Sequence, residues 1–353
     1  MAVADADPRP GAALPIVAII VSYGRRADLA RCLASLGRQS PALEGVIVVD
    51  NGSTDGTVEM VRRDFPWVRL VAAPENLGPC VARNLAALMT EAPFLWFLDS
   101  DTELRPADGA ARMHALFAAP EVGAVGGEAL LGPGDEIVGV KRMLMRPNGV
   151  VQGDSIFAGV ADCEVIASCN LMMRRPAFLA AGGFDPFYFF FYEDMDVTWR
   201  VGRQGFRQLV LAPMPVVHHF SERMRVKRLW LEARNRMYFC VKNMGLRSVL
   251  RMPLNDLAFL LDPDNLRRLF RRAAKSGGAK SLIQVAGAAP AGGGGKLRRA
   301  ALLAFAMGAR MVMTYLALPL VIGPALRARR RPPLDVSALP PHLRGLAKPE
   351  AAA

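Results

Sequence analysis

Asp99 and Asp101 follow the apolar run Phe94-Leu95-Trp96-Phe97-Leu98 directly, at a spacing of i and i+2. Such a run suits a strand of a parallel sheet, covered on both faces. Side chains alternate along a strand, so the two carboxylates are expected on the same side. Ligands of open α/β sheets sit just beyond the carboxyl ends of the strands. Two acids converging there could hold a hard divalent cation, with substrate phosphates completing its shell. The competing reading is a polar turn with Asp101 capping the next element.

Three further groups offer chemistry. Asp50 ends the apolar run Gly45–Val49 and opens the loop Asn51-Gly52-Ser53-Thr54-Asp55-Gly56-Thr57. Glu193, Asp194 and Asp196 follow the aromatic run Phe187-Tyr188-Phe189-Phe190-Phe191-Tyr192. Acids at a helix N-terminus are favoured by its dipole, which accounts for part of this pattern. Glu193, Asp196 and Arg200 share a helical face at i, i+3 and i+7, which predicts an intrahelical ion pair. Asp194 lies off that face, and beside an apolar wall its pKa would rise towards the range useful for a general base. His218 and His219 end the run that starts at Val216. Adjacent residues on an extended chain face opposite ways, so one of the two is expected at the site.

The surrounding elements must place these groups together. Pro15–Tyr23, Gly45–Asp50, Val68–Val71 and the run before Asp99 read as strands. Arg26–Leu36, Thr57–Arg63 and Pro79–Met89, the last carrying Arg83 and Asn84, read as the helices between them. This alternation predicts a doubly wound, mostly parallel sheet. The right-handed crossover rule brings its strand ends, and with them Asp50, Asp99 and Asp101, to one edge. Val122–Leu131 is expected as one strand across a Gly126-Gly127 bulge, Ile166–Arg174 as another, and Val210–Pro213 as a late one. Lys141–Cys163 gives no firm pattern. Neither GxGxxG nor GxxxxGK[ST] follows the first strand, where the chain reads Ser22-Tyr23-Gly24-Arg25. A nucleotide held through carboxylate-bound metal is the remaining option.

Charge divides the chain. Residues 1–220 hold 19 Lys/Arg and 25 Asp/Glu, whereas residues 221–353 hold 25 and 7, a net charge of +18. A basic second part suits nucleic acid or an anionic membrane. Arg299–Leu326 is apolar as well as basic, and no nucleic-acid-binding motif is present, which favours the membrane. Residues 1–14 are expected to be a disordered leader and do not read as a secretory signal, so the catalytic part is expected in the cytoplasm. The five cysteines show no paired spacing and read as buried thiols. Residues 15–220 are expected to form the catalytic domain, in halves 15–105 and 106–220. Residues 221–275 read as basic amphipathic helices that dock on a membrane or pack beneath the sheet. Residues 276–298 read as a linker, and 332–353 as a disordered tail. Ala300–Leu326 is long enough to span a bilayer, but Arg310 near its middle is costly there and Pro319 and Pro324 should break the span, so residues 299–331 read as a membrane-associated hairpin or interfacial anchor.

Taken in order, these motifs resemble the inverting family 2 glycosyltransferases of the GT-A fold, a Rossmann-like α/β class, and among them the bacterial rhamnosyltransferase-like members. Val48–Thr57 is similar to the family's nucleotide-base loop, and Pro74–Gly78 with Ala82-Arg83-Asn84 to its second nucleotide-contact segment. Asp99-Ser100-Asp101 is similar to its metal motif. Gly182–Asp185 through Glu193–Asp196 is similar to its acceptor and base segment, with His218 or His219 as a late metal ligand. The resemblance implies that Asp50 and Asn51 meet the nucleotide base, with Asn76 and Arg83 nearby. It implies that Ser22 and Tyr23 line base and ribose, and that Asp99 contacts the ribose side. Asp101 and His218, with Asp99 beside them, would hold Mn2+ or Mg2+. Asp194 would be the base, with Glu193 the second choice, and Gly183, Asp185, Asp196 and Trp199 would serve the acceptor or sugar. The implied partners are a UDP, dTDP or GDP sugar, a saccharide or lipid-linked acceptor, and the cytoplasmic face of a membrane. Gly24-Arg25 departs from the family, which often has Asn shortly after the first-strand tyrosine. A sugar nucleotidyltransferase and a non-catalytic membrane adaptor are the competing functions. The first would need a basic glycine-rich loop, of which Gly24-Arg25-Arg26 is a poor version. The second would not need Asp101, Asp194 and His218 together.

Overall fold

A computed structural model describes residues 13–219, 226–263, 308–309 and 311–347. Strands β1 (Leu14–Ser22), β2 (Leu43–Asp50), β3 (Arg69–Ala72) and β4 (Phe94–Asp99) alternate with helices α1 (Arg26–Leu36), α2 (Thr57–Asp64) and α3 (Gly78–Leu88). The four strands are parallel in the order β4-β1-β2-β3. Ile16, Ile19, Ile20, Trp96 and Phe97 are fully shielded between the layers, as both-face burial demands.

The second half extends this sheet. It contributes β6 (Val122–Gly126), β11 (Asn170–Arg174), β12 (Arg207–Ala212) and β10 (Gly159–Cys163), and the full order is β10-β12-β6-β11-β4-β1-β2-β3. Strand β11 runs antiparallel to both neighbours. The fold is therefore a mixed α/β sheet, parallel throughout β4-β1-β2-β3. Strand β5 (Thr102–Leu104) pairs with β13 (Val216–His218) outside it. Strands β7 (Ala129–Leu131), β8 (Ile137–Met145) and β9 (Val151–Ile156) form a separate antiparallel meander, occupying much of the stretch without a sequence pattern.

Several expectations need correction. The strand expected over 122–131 is two strands in two sheets. A Cβ on Gly126 would lie 2.1 Å from the Asn170 carbonyl oxygen, and Gly127 turns the chain away with φ +122°. The strand expected from Ile166 begins at Asn170. Residues 332–347 are ordered: two 3-10 turns carry Leu334, Leu339, Leu343 and Ala347 into the core. Four prolines in this stretch deny it any helical or strand period, so its burial is purely tertiary. Residue 14 already belongs to β1, while residues 1–12 and the linker at 276–298 lie outside the described residues.

Helices α4 (Gly109–Ala115), α5 (Arg175–Ala180) and α6 (Glu193–Gly202) complete the catalytic half. The basic half supplies α7 (Val226–Phe239), a π turn at Cys240–Met244, α8 (Leu246–Leu261) and α9 (Leu318–Ala328). Neither Pro319 nor Pro324 breaks α9. Pro319 sits in the first turn, where its missing N–H is not needed, and the helix continues through Pro324. Among the described residues, no helix is long and apolar enough to cross a membrane. Much of α7 faces inward: Arg236 is buried against Asp256, and Arg234 donates to the carbonyls of Phe187 and Tyr188. Packing against the catalytic half, one of the two readings of this segment, is thus what the structure shows for α7.

Leu334→Ala should cost ~2–5 kcal/mol by leaving a cavity under the C-terminal strap. Urea denaturation measures it, and a change below ~0.5 kcal/mol would show that the strap is not part of the cooperative core.

Candidate active site

Two short strands build one corner. Strand β4 ends at Asp99, the chain turns through Ser100-Asp101, and β5 then pairs with β13 so that His218 lies opposite Thr102. His218 Nε2 lies 3.1 Å from Asp101 Oδ1 and 3.7 Å from Asp99 Oδ2. The two acids converge through this turn rather than through the alternation of a continuous strand. His219 faces the other way, its Nε2 2.8 Å from Glu103 Oε2. Burial works against a charge on His218, but its hydrogen bond with Asp101 and the charges of both aspartates hold its pKa above the ordinary value. Ligand atoms of Asp99, Asp101 and His218 all lie within 4.8 Å of one another. Two carboxylates and an imidazole fit a divalent cation. Arg25 Nη1 lies 2.8 Å from Asp101 Oδ2, so the residue that departs from the family pattern reaches this corner.

The corner that the family resemblance implies for the nucleotide lies at the ends of β1 and β2, where Ser22 stands opposite Asp50. Ser22 Oγ and Asn51 Oδ1 are buried without a hydrogen-bond partner among the described residues. Buried polar atoms in that state are rare, which suits atoms that await a ligand. Asp50 accepts from the Ser53 amide (2.9 Å) and hydroxyl (2.5 Å), folding the loop back on its strand. Asn76 accepts from the Gly78 amide and so opens α3, while Tyr23 is exposed. Arg83 reaches the acids of β4 and α6. Its Nη2 donates to Asp99 Oδ1 at 2.7 Å, and its Nη1 lies 3.5 Å from Glu193 Oε1. Arg83 projects from α3 and so crosses to the acids of α6 rather than back to the β2 loop.

A cavity of about 330 Å³ joins Asp99 and His218 to Glu193 and Asp194, with Phe190, Phe191 and Tyr192 forming a wall. Asp194 accepts from the amides of Ser168 (3.1 Å) and Met195 (2.8 Å). Burial is the main force on both acids. It raises the Asp194 pKa and, with the neighbouring Asp194 charge, pushes Glu193 up to about 8 against the pull of Arg83.

The four acceptor residues implied by the resemblance do not line this cavity. Asp196 is fully buried, accepting from Arg200, Lys242, Tyr188 and Asn243. The expected ion pair forms between Asp196 and Arg200 alone, because Glu193 turns to Arg83. Asp185 accepts from Lys242 and Tyr238 and meets Arg331 at 3.3 Å. Trp199 stands edge-on to Phe239. Gly183 has φ +64°, and a Cβ there would meet Asn84 Oδ1 at 2.6 Å. These residues shape the site from behind.

Asn235 is a positioning residue behind the cavity wall that the sequence did not single out. Phe191 and Tyr192 of the aromatic wall, and Phe189 just before it, hold positive φ, at a cost of ~1–3 kcal/mol each. The Asn235 amide nitrogen lies 3.0, 2.8 and 2.7 Å from the carbonyl oxygens of Tyr188, Phe190 and Phe191. Its signal was slight: an amide in the i, i+4, i+8 row Leu231, Asn235, Phe239 of a helix read as basic and amphipathic.

Residues 17–178 match the family described as Glycosyl transferase family 2. The chain is therefore a glycosyltransferase: it carries a family 2 domain on a GT-A fold. Among its relatives is an N-acetylglucosaminyl-diphospho-decaprenol L-rhamnosyltransferase of Mycobacterium tuberculosis, 28% identical over 234 residues, covering 58% of this chain and 76% of the relative. The O-antigen biosynthesis protein RfbC of Myxococcus xanthus is 28% identical over 240 residues, covering 60% of this chain and 18% of that protein. A mannosyltransferase from Pyrobaculum calidifontis, solved in complex with GDP-Man and Mn2+, superposes with a TM-score of 0.51 at 18% identity, covering 92% of this chain and 89% of that one.

Two outcomes test the geometry. Between an ordinary value of 4.5 and about 8, the folded chain holds a proton on Glu193 that the unfolded chain has released. Stability should therefore fall as pH rises through that window. Glu193→Gln should remove this fall, so its melting-temperature advantage over wild type should grow from about pH 5 to about pH 8. An advantage independent of pH would refute the raised pKa. Asn235→Ala should cost ~1–3 kcal/mol in denaturant unfolding and lower turnover more than donor affinity. Equal losses in both would show that Asn235 does not act through the wall and the acids.

Proposed function

We propose that the protein is a metal-dependent, inverting glycosyltransferase of cell-envelope or surface-polysaccharide synthesis. It moves a sugar from a UDP, dTDP or GDP donor to a hydroxyl of a saccharide or lipid-linked acceptor, at the cytoplasmic face of the membrane. The observation that carries this reading is the single cavity that holds Asp99 and His218 together with Glu193 and Asp194. The Mycobacterium tuberculosis relative is named for a polyprenol-diphosphate acceptor and L-rhamnose, which supports the lipid-linked class and a rhamnosyltransferase-like activity.

Asp99, Asp101 and His218 would hold Mn2+ or Mg2+, which when bound supplies Lewis-acid neutralisation of the leaving diphosphate. The protein's own groups do the rest. Ser22, Asn51 and the loop folded by Asp50 receive the nucleoside. Arg83 holds Asp99 in place and stands beside Glu193. Asp194 is aimed by the Ser168 and Met195 amides and takes the proton of the acceptor hydroxyl. The freed oxygen bonds to the anomeric carbon on the face opposite the diphosphate. The old carbon–oxygen bond breaks with its electrons on the diphosphate, and one displacement inverts the centre. The aromatic wall excludes water, which would otherwise compete as acceptor.

A hydrolysis and binding screen with UDP-, GDP- and dTDP-sugars, with and without Mn2+, tests the reading. Neither turnover nor binding of any donor would end it. Asp194→Asn should lower transfer by ~100-fold or more while donor binding is kept. If transfer survives, Glu193 takes the role of base.

A further inference from the structure

Helix α8 exposes five leucines. Leu246, Leu250, Leu254, Leu257 and Leu261 are each 54–71% exposed. At 3.6 residues per turn they fall within an arc of about 80°, while Met252 and Asp256 point into the protein on the opposite side. One leucine at a surface needs no explanation, but a continuous leucine stripe along four turns does. Arg247 and Arg251 are exposed along one flank of it. The only acid within α8 is Asp256, which is turned inward onto Asn148, Arg236 and Tyr315. Through Tyr315 this helix adjoins the helical residues 311–316. There Val312 and Leu316 are exposed at the same four-residue spacing, and Leu320 of α9 continues the row. Arg327, Arg329 and Arg330 are exposed at the end of α9.

We propose that the α8 leucine stripe is the surface by which this chain lies on a bilayer containing anionic lipid, with Arg247 and Arg251 meeting the headgroups. The inference deepens the proposed membrane location by assigning it a described surface, and rests on that reading. An apolar stripe flanked by arginine is the pattern of a helix lying in the membrane interface. Its affinity comes from buried leucine area plus attraction of the cations to the leaflet. A second copy of the chain is the weaker occupant. A two-fold contact sets a patch against itself, so the arginine flank would meet its own charges. Anionic lipid supplies the opposite sign.

The test uses the full chain and needs neither donor nor acceptor, so its failure is separate from failure of the transferase reading. Flotation is measured with phosphatidylglycerol–phosphatidylcholine vesicles and with phosphatidylcholine alone. Wild type should float with the anionic vesicles and bind phosphatidylcholine roughly tenfold or more weakly. A Leu250→Ser, Leu254→Ser, Leu257→Ser variant should lose roughly 100-fold in vesicle affinity. Its melting temperature should match wild type, because all three side chains are exposed. Unchanged flotation of this variant would overturn the assignment. So would equal wild-type binding to both vesicles, or a wild-type dimer that does not float and that the triple substitution makes monomeric.

Discussion

Lys242 lies buried between Asp185 and Asp196, with its Nζ 2.7 and 2.9 Å from their carboxylates. Burying a charge is costly, and removing one partner of such a group leaves the others uncompensated. Around it, Tyr238 and Arg331 satisfy Asp185, while Arg200, Tyr188 and Asn243 satisfy Asp196. The cluster draws on the loop before the aromatic wall, on α6, on α7 with its π turn, and on the chain after α9. No element of it can shift without exposing the rest. Helix α6 is thereby fixed within one turn of Glu193 and Asp194. The same helix then holds acids in opposite states. Despite burial, the surrounding cations keep the Asp185 and Asp196 pKa values low, whereas Glu193 and Asp194, with Arg83 as their near cation, are pushed up. Environments that drive neighbouring carboxyls apart separate those that hold structure from those available for proton transfer.

The half that carries β1 to β4 was legible in the sequence because it is made of local patterns. Buried strands read as apolar runs, and the helices between them read by their period. The strand-end rule then gathers Asp50, Asp99 and Asp101 at one edge of the sheet. Membership in the family 2 glycosyltransferases and the GT-A fold followed from motif order. What could not be read was tertiary. The meander β7-β8-β9 has strands with no clean alternation, and residues 332–347 have no period at all. Asp185 and Asp196 carry the same residue type as Asp194, and only their distant partners, Lys242 and Arg331, assign them to structure. Arg83 bridges Asp99 and Glu193. Its position on α3 was readable, but its direction was not.

The aromatic wall shows why the basic half cannot be an appendage. Phe189, Phe191 and Tyr192 hold a backbone conformation that L-residues avoid. Such strain persists only where surrounding contacts over-determine it. Those contacts come from α7, through Asn235 and Arg234. The loop in turn delivers Tyr192 as the residue preceding α6 and sets the entry angle of Glu193. Removing α7 would release the strain and, with it, the direction in which the two acids point.

A short chain of contacts joins this site to α8. Asp256 of that helix accepts from Asn148 (2.7 Å), in the turn between β8 and β9. In the same turn the Gly149 carbonyl accepts from the Tyr192 hydroxyl (2.8 Å), and a Cβ on Gly149 would collide with Cys240 of the π turn. Two buried or half-buried hydrogen bonds and one turn therefore separate the leucine-bearing helix from the cavity wall. For a free saccharide acceptor this rigidity is without consequence, since the acceptor diffuses to the site at any orientation. For a lipid-linked acceptor it matters, because the reacting hydroxyl is confined to a fixed height above the bilayer. Proximity then has to be built into the protein. A helix lying in the interface and tied by fixed contacts to the cavity sets that height, and a flexible tether to the membrane would not.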